Sequence, residues 1–125
     1  MSELGKYIAQ EVTPLEEGKY TGVINDIQRS DEKFDYTRYT VEMDNEEKSK
    51  LTVSFPSTIS VLKDGTPTTQ HAKFLTTMKV KINPDTDLVK EIKKLIGVKI
   101  SCLVENVDKK QGTFSEIVKT SVKPL

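Results

Sequence analysis

Few side chains in this 125-residue chain are of types that do covalent chemistry, and their sequence surroundings argue against it. The one histidine, His71, stands at helical spacing with Phe74 and Leu75. A lone imidazole lacks the partners that a triad or a metal centre needs, so a structural or surface role is expected. The one cysteine, Cys102, alternates with Val98, Ile100 and Val104. That spacing predicts a buried strand thiol, because no histidine or cation is placed to activate it. The acidic pairs Asp31-Glu32 and Glu46-Glu47 fall in predicted turns, where solubility accounts for them more simply than acid–base catalysis in a shared cleft. Gly65-Thr66-Pro67 lacks the spacing and the following lysine of a phosphate-binding loop. The expectation is a protein that is not an enzyme and carries no metal or cofactor.

What remains is the chemistry of contact. Phe34, Tyr36 and Arg38 alternate along one stretch and share one face of it if the stretch is a strand. An aromatic ring stacks on a nucleic-acid base and an arginine stacks or meets phosphate, each base stack contributing roughly 1–3 kcal/mol with little regard to sequence. Lys50 and Thr52, in the next strand-like run, extend the same surface, and Lys109 and Lys110 flank it from a later turn. The competing reading of Phe34 and Tyr36 is a covered hydrophobic edge or a dimer contact.

The elements that position these residues come in a definite order. Strand-like runs at 18–27, 34–43 and 50–55 are followed by helical signals and then by strand-like runs at 98–106 and 113–122. In the second run Tyr39, Val41 and Met43 share the face predicted to be core, with Tyr36, Arg38, Thr40 and Glu42 outside. In the third, Leu51, Val53 and Phe55 point inward. Gly22 suggests a bend or bulge in the first strand, of the kind a small barrel needs to close its sheet. The main helix is expected at Asp87–Ile96, where Leu88, Ile92, Leu95 and Ile96 form a stripe and Gly97 ends it. A shorter helix through His71, Phe74, Leu75 and Met78, capped by a preceding threonine, competes with a β-hairpin. Asp108–Gly112 reads as the hairpin loop between the last two strands. Three strands, a helix and two strands make the layout of the OB-fold, a five-stranded Greek-key barrel with its helix between strands 3 and 4. The domain is expected over 18–125 with an insertion at 56–83. Residues 1–17 form an N-terminal arm, in which Leu4, Tyr7 and Ile8 have helical spacing until Pro14 breaks it.

Composition sets outer bounds. Apolar residues make up 35% and charged residues 30%, which suits one polar globular domain. No apolar run is long enough for a membrane helix, and no signal-peptide pattern opens the sequence. With a single cysteine and hence no internal disulfide, a cytoplasmic location is expected. The net charge is zero, yet residues 1–57 hold 7 Lys/Arg against 12 Asp/Glu while residues 58–125 hold 12 Lys against 7 Asp/Glu. A local basic groove is therefore compatible with overall neutrality, whereas a grip on duplex DNA by bulk charge is not.

The stretches Glu17–Ile24 and Phe34–Val41, then Val53-Ser54-Phe55-Pro56, Lys73-Phe74-Leu75 and the passage into Val98–Val104, resemble the small OB-fold single-stranded DNA-binding proteins of bacteriophages. The similarity spans residues 17–123 and consists of strand patterns. It implies protection of single strands during phage DNA replication or recombination in the host cytoplasm, by a dimer or tetramer that meets replication or recombination proteins. Cellular relatives recruit partners through an acidic tail; Ser121–Leu125 carries no acidic residue, so recruitment by that route is not expected. Two other classes fit the same layout: a protein-interaction or inhibitor module that binds no nucleic acid, and an RNA-binding OB domain.

Overall fold

Alternation along the second strand organises the molecule. In the computed structural model, which describes residues 14–125, Tyr39, Val41 and Met43 are buried while Tyr36, Arg38, Thr40 and Glu42 lie half-buried on the other face. The N-terminal helical spacing of Leu4, Tyr7 and Ile8 lies outside the described residues.

The strands are β1 (Gly18–Ser30), β2 (Tyr36–Met43), β3 (Lys50–Pro56), β4 (Lys99–Lys109), β5 (Gly112–Ile117) and the short β6 (Lys123–Pro124). Between β3 and β4 lie the helices α1 (Gln70–Thr77) and α2 (Val89–Lys93). All ladders are antiparallel. The sheet runs β3-β2-β1-β4-β5, and β6 adds to β4 beyond β5. The two ends of this path, β3 and β5, come into contact but share no hydrogen-bonded ladder. An all-β architecture with minor helix is thus present, and the sheet is not closed.

The core is built from the inward faces. Ile24, Val53, Phe55, Ile100, Cys102 and Val104 meet Tyr39, Val41 and Met43, and α1 adds Phe74 and Leu75. Burial raises the Cys102 thiol pKa, so this sulfur is a neutral core group.

Helix ranking is where the pattern misleads. The expected main helix at Asp87–Ile96 reduces to the five residues of α2, whose N-cap Leu88 offers no side-chain acceptor, the Asp87 carboxylate taking the Val89 N–H at 3.0 Å instead. Val89 and Ile96 stay about half exposed, and Leu95, just past the helix, is the deeply buried member of the stripe. A one-turn helix gains little unless its stripe is buried. Instead α1 docks on the core, burying His71, Ala72, Phe74 and Leu75. Its cap is Thr69, whose hydroxyl accepts from the Ala72 backbone N–H at 3.3 Å.

The bulge of β1 does not fall at Gly22. The register shift in β1 falls between Ile24 and Asp26, at Asn25. Gly22 serves close approach instead: a Cβ there would stand 2.7 Å from the Glu42 carbonyl oxygen and 2.8 Å from Val41 Cγ1. Two boundaries move as well. Phe34 precedes β2 and lies in the β1–β2 loop. The last predicted strand ends at Ile117 and gives way to a 3-10 turn at Lys119–Ser121.

The backbone before β1 is pinned rather than free-standing. The Leu15 N–H donates to Ser115 Oγ at 2.7 Å, and the Asn106 side-chain amide donates to the Leu15 carbonyl at 3.0 Å. No helix among the described residues is long and apolar enough to cross a membrane.

Candidate nucleic-acid interface

The β2–β3 register places two rows of side chains on one outward face. Tyr36 stands opposite Pro56, Arg38 opposite Ser54, Thr40 opposite Thr52, and Glu42 opposite Lys50. Because alternate residues share a face, Tyr36, Arg38, Ser54, Thr52 and Lys50 form one continuous surface. Tyr36 and Arg38 act as a unit on it. The guanidinium carbon lies 5.4 Å from the Tyr36 ring centroid, and one terminal nitrogen donates to the Tyr36 hydroxyl at 3.3 Å. Arg38 has no carboxylate partner among the described residues, and its Nε is buried without an acceptor. Its charge is therefore held by an aromatic face and left unneutralised.

Beyond β3 the surface dips into the unpaired gap against β5. This groove has a volume of about 500 Å³, and its walls include Lys50, Thr52, Ser54, Lys109, Phe114 and Lys119. Phe114 shows its ring to solvent at the groove wall, 5.9 Å from Lys109 Nζ. Lys109 is tied to Glu116 at 2.6 Å. That ion pair is exposed, so a phosphate competes for the ammonium at little cost.

Of the residues singled out from sequence, Lys50, Thr52 and Lys109 come together in the groove, and Tyr36 and Arg38 adjoin it through Ser54. Lys110 sits at the tip of the two-residue β4–β5 turn, off the groove lining. Phe34 lies 77% exposed in the β1–β2 loop, not on the strand face. Asp35 braces that loop by a bidentate pair with Arg29, whose Nε donates at 2.8 Å and a terminal nitrogen at 2.5 Å. Hydrogen bonds from Arg29 and then Ser57 lower the Asp35 pKa to about 2.

Phe114 and Lys119 join the site without having been singled out. Strand alternation puts Phe114 on the Glu116 side of β5, a signal available from sequence. Lys119 comes from the 3-10 turn, which has no such periodicity.

His71 belongs to the core rather than to any site. Its Nδ1 lies 3.1 Å from the Ser57 carbonyl, which only accepts, so Nδ1 carries the proton and Nε2 accepts from the Tyr39 hydroxyl at 2.6 Å. Among the described residues no group of three or more His, Cys, Asp or Glu is placed to hold a metal ion. A separate hollow of about 320 Å³ beside Gly22 mixes Glu42 and Asp44 with Lys48 and Lys99 and holds no aromatic ring, a poorer lining for a polyanion. No protein-family model matches the chain, and no curated protein matches it in sequence.

Proposed function

We propose that this chain binds single-stranded DNA non-enzymatically, with little sequence preference, and protects exposed strands during replication or recombination. One observation carries the reading: an unbroken surface leads from the Tyr36–Arg38 stack across Ser54, Thr52 and Lys50 to Phe114, Lys109 and Lys119. Rings for bases and cations for backbone, interleaved along a groove, suit a flexible single strand. Duplex DNA presents no unstacked bases to such rings.

The fold reading supports it. A β3-β2-β1-β4-β5 order, helices between β3 and β4, and sheet ends side by side suit an OB-type barrel left partly open. In OB-folds the strand 2–3 face and the loops after strands 1 and 4 bind oligonucleotides. Here the loop after β1 presents Phe34, whereas Lys110, in the loop after β4, lies off the groove.

Fluorescence titration of labelled oligo-dT, the matching duplex and an RNA of equal length tests the proposal. Oligo-dT is expected to bind more tightly than duplex at each salt concentration. Absence of binding to any single strand at low salt rejects the proposal, and preference for RNA over DNA moves it to the RNA-binding class.

A further inference from the structure

Lys119 borders more than the groove. This side chain also lines a second hollow of about 190 Å³ beneath α1, whose apolar floor is Phe55, Phe74 and Val122 and whose rim carries Gln70 and Lys73. We propose that a bound single strand passes Lys119 and seats one base in this hollow, its phosphate held between Lys73 and Lys119. The proposal rests on the nucleic-acid reading of the groove and extends the path of the strand within it.

Charge favours this occupant. No carboxylate lines the hollow, and neither Lys73 nor Lys119 forms an ion pair among the described residues. Lys109, in the groove, is by contrast paired with Glu116. Lys119 is steadied by an aromatic face instead, its Nζ lying 5.7 Å from the Phe55 ring centroid. An ammonium held this way keeps its donors and its charge for an incoming anion. The two cations are thus unpaired among the described residues, Lys119 shared by the two hollows and Lys73 on the rim of the second.

Size narrows the ligand. Pockets for whole small molecules begin at about 300 Å³. A hollow of 190 Å³ has room for one ring system and not for two stacked nucleotides. The Gln70 amide at its rim offers both a donor and an acceptor to a base edge. A weak preference for one base at this position follows, within otherwise indifferent binding.

Titrations with two lengths of oligo-dT test the path, since OB-type sites span about 4–16 nucleotides. Wild type, Lys73→Ala, Lys119→Ala and Tyr36→Ala are compared with an oligomer of about 4 nucleotides and one of about 12. Lys73 is exposed on α1, so Lys73→Ala is expected to melt as wild type does. The expected result is that Lys73→Ala binds the short oligomer as wild type does but binds the long one about five- to tenfold more weakly. Its salt slope for the long oligomer should be shallower by about 0.7. Unchanged affinity and slope for the long oligomer in Lys73→Ala, with Tyr36→Ala weakened, overturns the extended path and leaves the groove reading standing. Absence of binding by wild type to either length overturns both.

Discussion

The Tyr39 hydroxyl donates a 2.6 Å hydrogen bond to Nε2 of His71, a residue 32 positions later, and so fastens β2 to α1 in the core. The ring beneath that hydroxyl packs at 4.7 Å from Phe74 and 6.1 Å from Phe55, centroid to centroid. Tyr39 is 1% exposed, and Tyr36, three residues earlier, faces outward. The two tyrosines thus lie on opposite faces of one strand, Tyr39 in the core and Tyr36 on the face proposed to bind.

Tyr39→Ala should destabilise the protein by about 3–5 kcal/mol, as loss of a core aromatic does. Tyr39→Phe keeps the ring but leaves the buried His71 acceptor without a donor, at a cost of about 1–3 kcal/mol. Denaturant titrations measure both. Equal stability of Tyr39→Phe and wild type would show that the hydrogen bond contributes nothing.

The same pair predicts a pH dependence. Burial is the main cause holding the His71 pKa below its ordinary 6.5. The folded state therefore binds fewer protons than the unfolded state once pH falls toward that value. The contribution of neutral His71 is fully present above about pH 6.5 and is lost progressively as pH drops below it. Melting temperature should fall between about pH 7 and pH 5, and His71→Gln should flatten this fall. Asp35 acts in a separate window. Its pKa is lowered from 3.8 to about 2, so its contribution is present above 3.8 and lost only as pH falls toward 2. Stability that rises on acidification from pH 7 would contradict the neutral assignment of His71.

Gly22→Ala places a methyl 2.7 Å from the Glu42 carbonyl oxygen, which cannot yield without parting β1 from β2. A loss of about 1–3 kcal/mol is expected, as for other overpacked sites, read as a lower urea midpoint. Gly112→Ala is the comparison: a Cβ there meets nothing within 4 Å, although its φ of +130° strains any side chain. A Gly22→Ala variant as stable as wild type would rule out the close-approach role.

The strand faces were legible because period-2 alternation in Tyr39/Val41/Met43 and Leu51/Val53/Phe55 directly reflects a one-sided core. The helices were not ranked correctly, because Leu88–Ile96 carries a helical stripe that tertiary packing leaves half-used, while α1 buries His71 and Ala72 beside its two large apolar residues. Half of the candidate surface, Tyr36 and Arg38 with Lys50 and Thr52, follows from alternation on paired strands. The groove does not. It arises where β3 and β5, the two ends of the sheet, are brought side by side, and no local pattern records that meeting. Lys119 is hidden too, because it comes from a 3-10 turn that carries no periodicity.

Salt dependence should be shallow. A strand confined to the groove and the β2–β3 face meets four cations, Arg38, Lys50, Lys109 and Lys119. At about 0.7 per phosphate neutralised, the slope of log affinity against log salt is no steeper than about −3. Lys50→Ala should flatten it by about 0.7, and Lys110→Ala, at the hairpin tip, should leave it unaltered. A flattened slope in Lys110→Ala with none in Lys50→Ala would place the backbone path over the hairpin instead.

The most direct test is an oligo-dT titration of wild type beside Tyr36→Ala, each with its thermal melt. The stacking surface predicts measurable binding by wild type at low salt. It predicts that Tyr36→Ala loses about 1–3 kcal/mol of binding while its melting temperature stays close to that of wild type. Undiminished affinity in Tyr36→Ala, or no binding by wild type, would contradict the assignment of this face to single-stranded DNA.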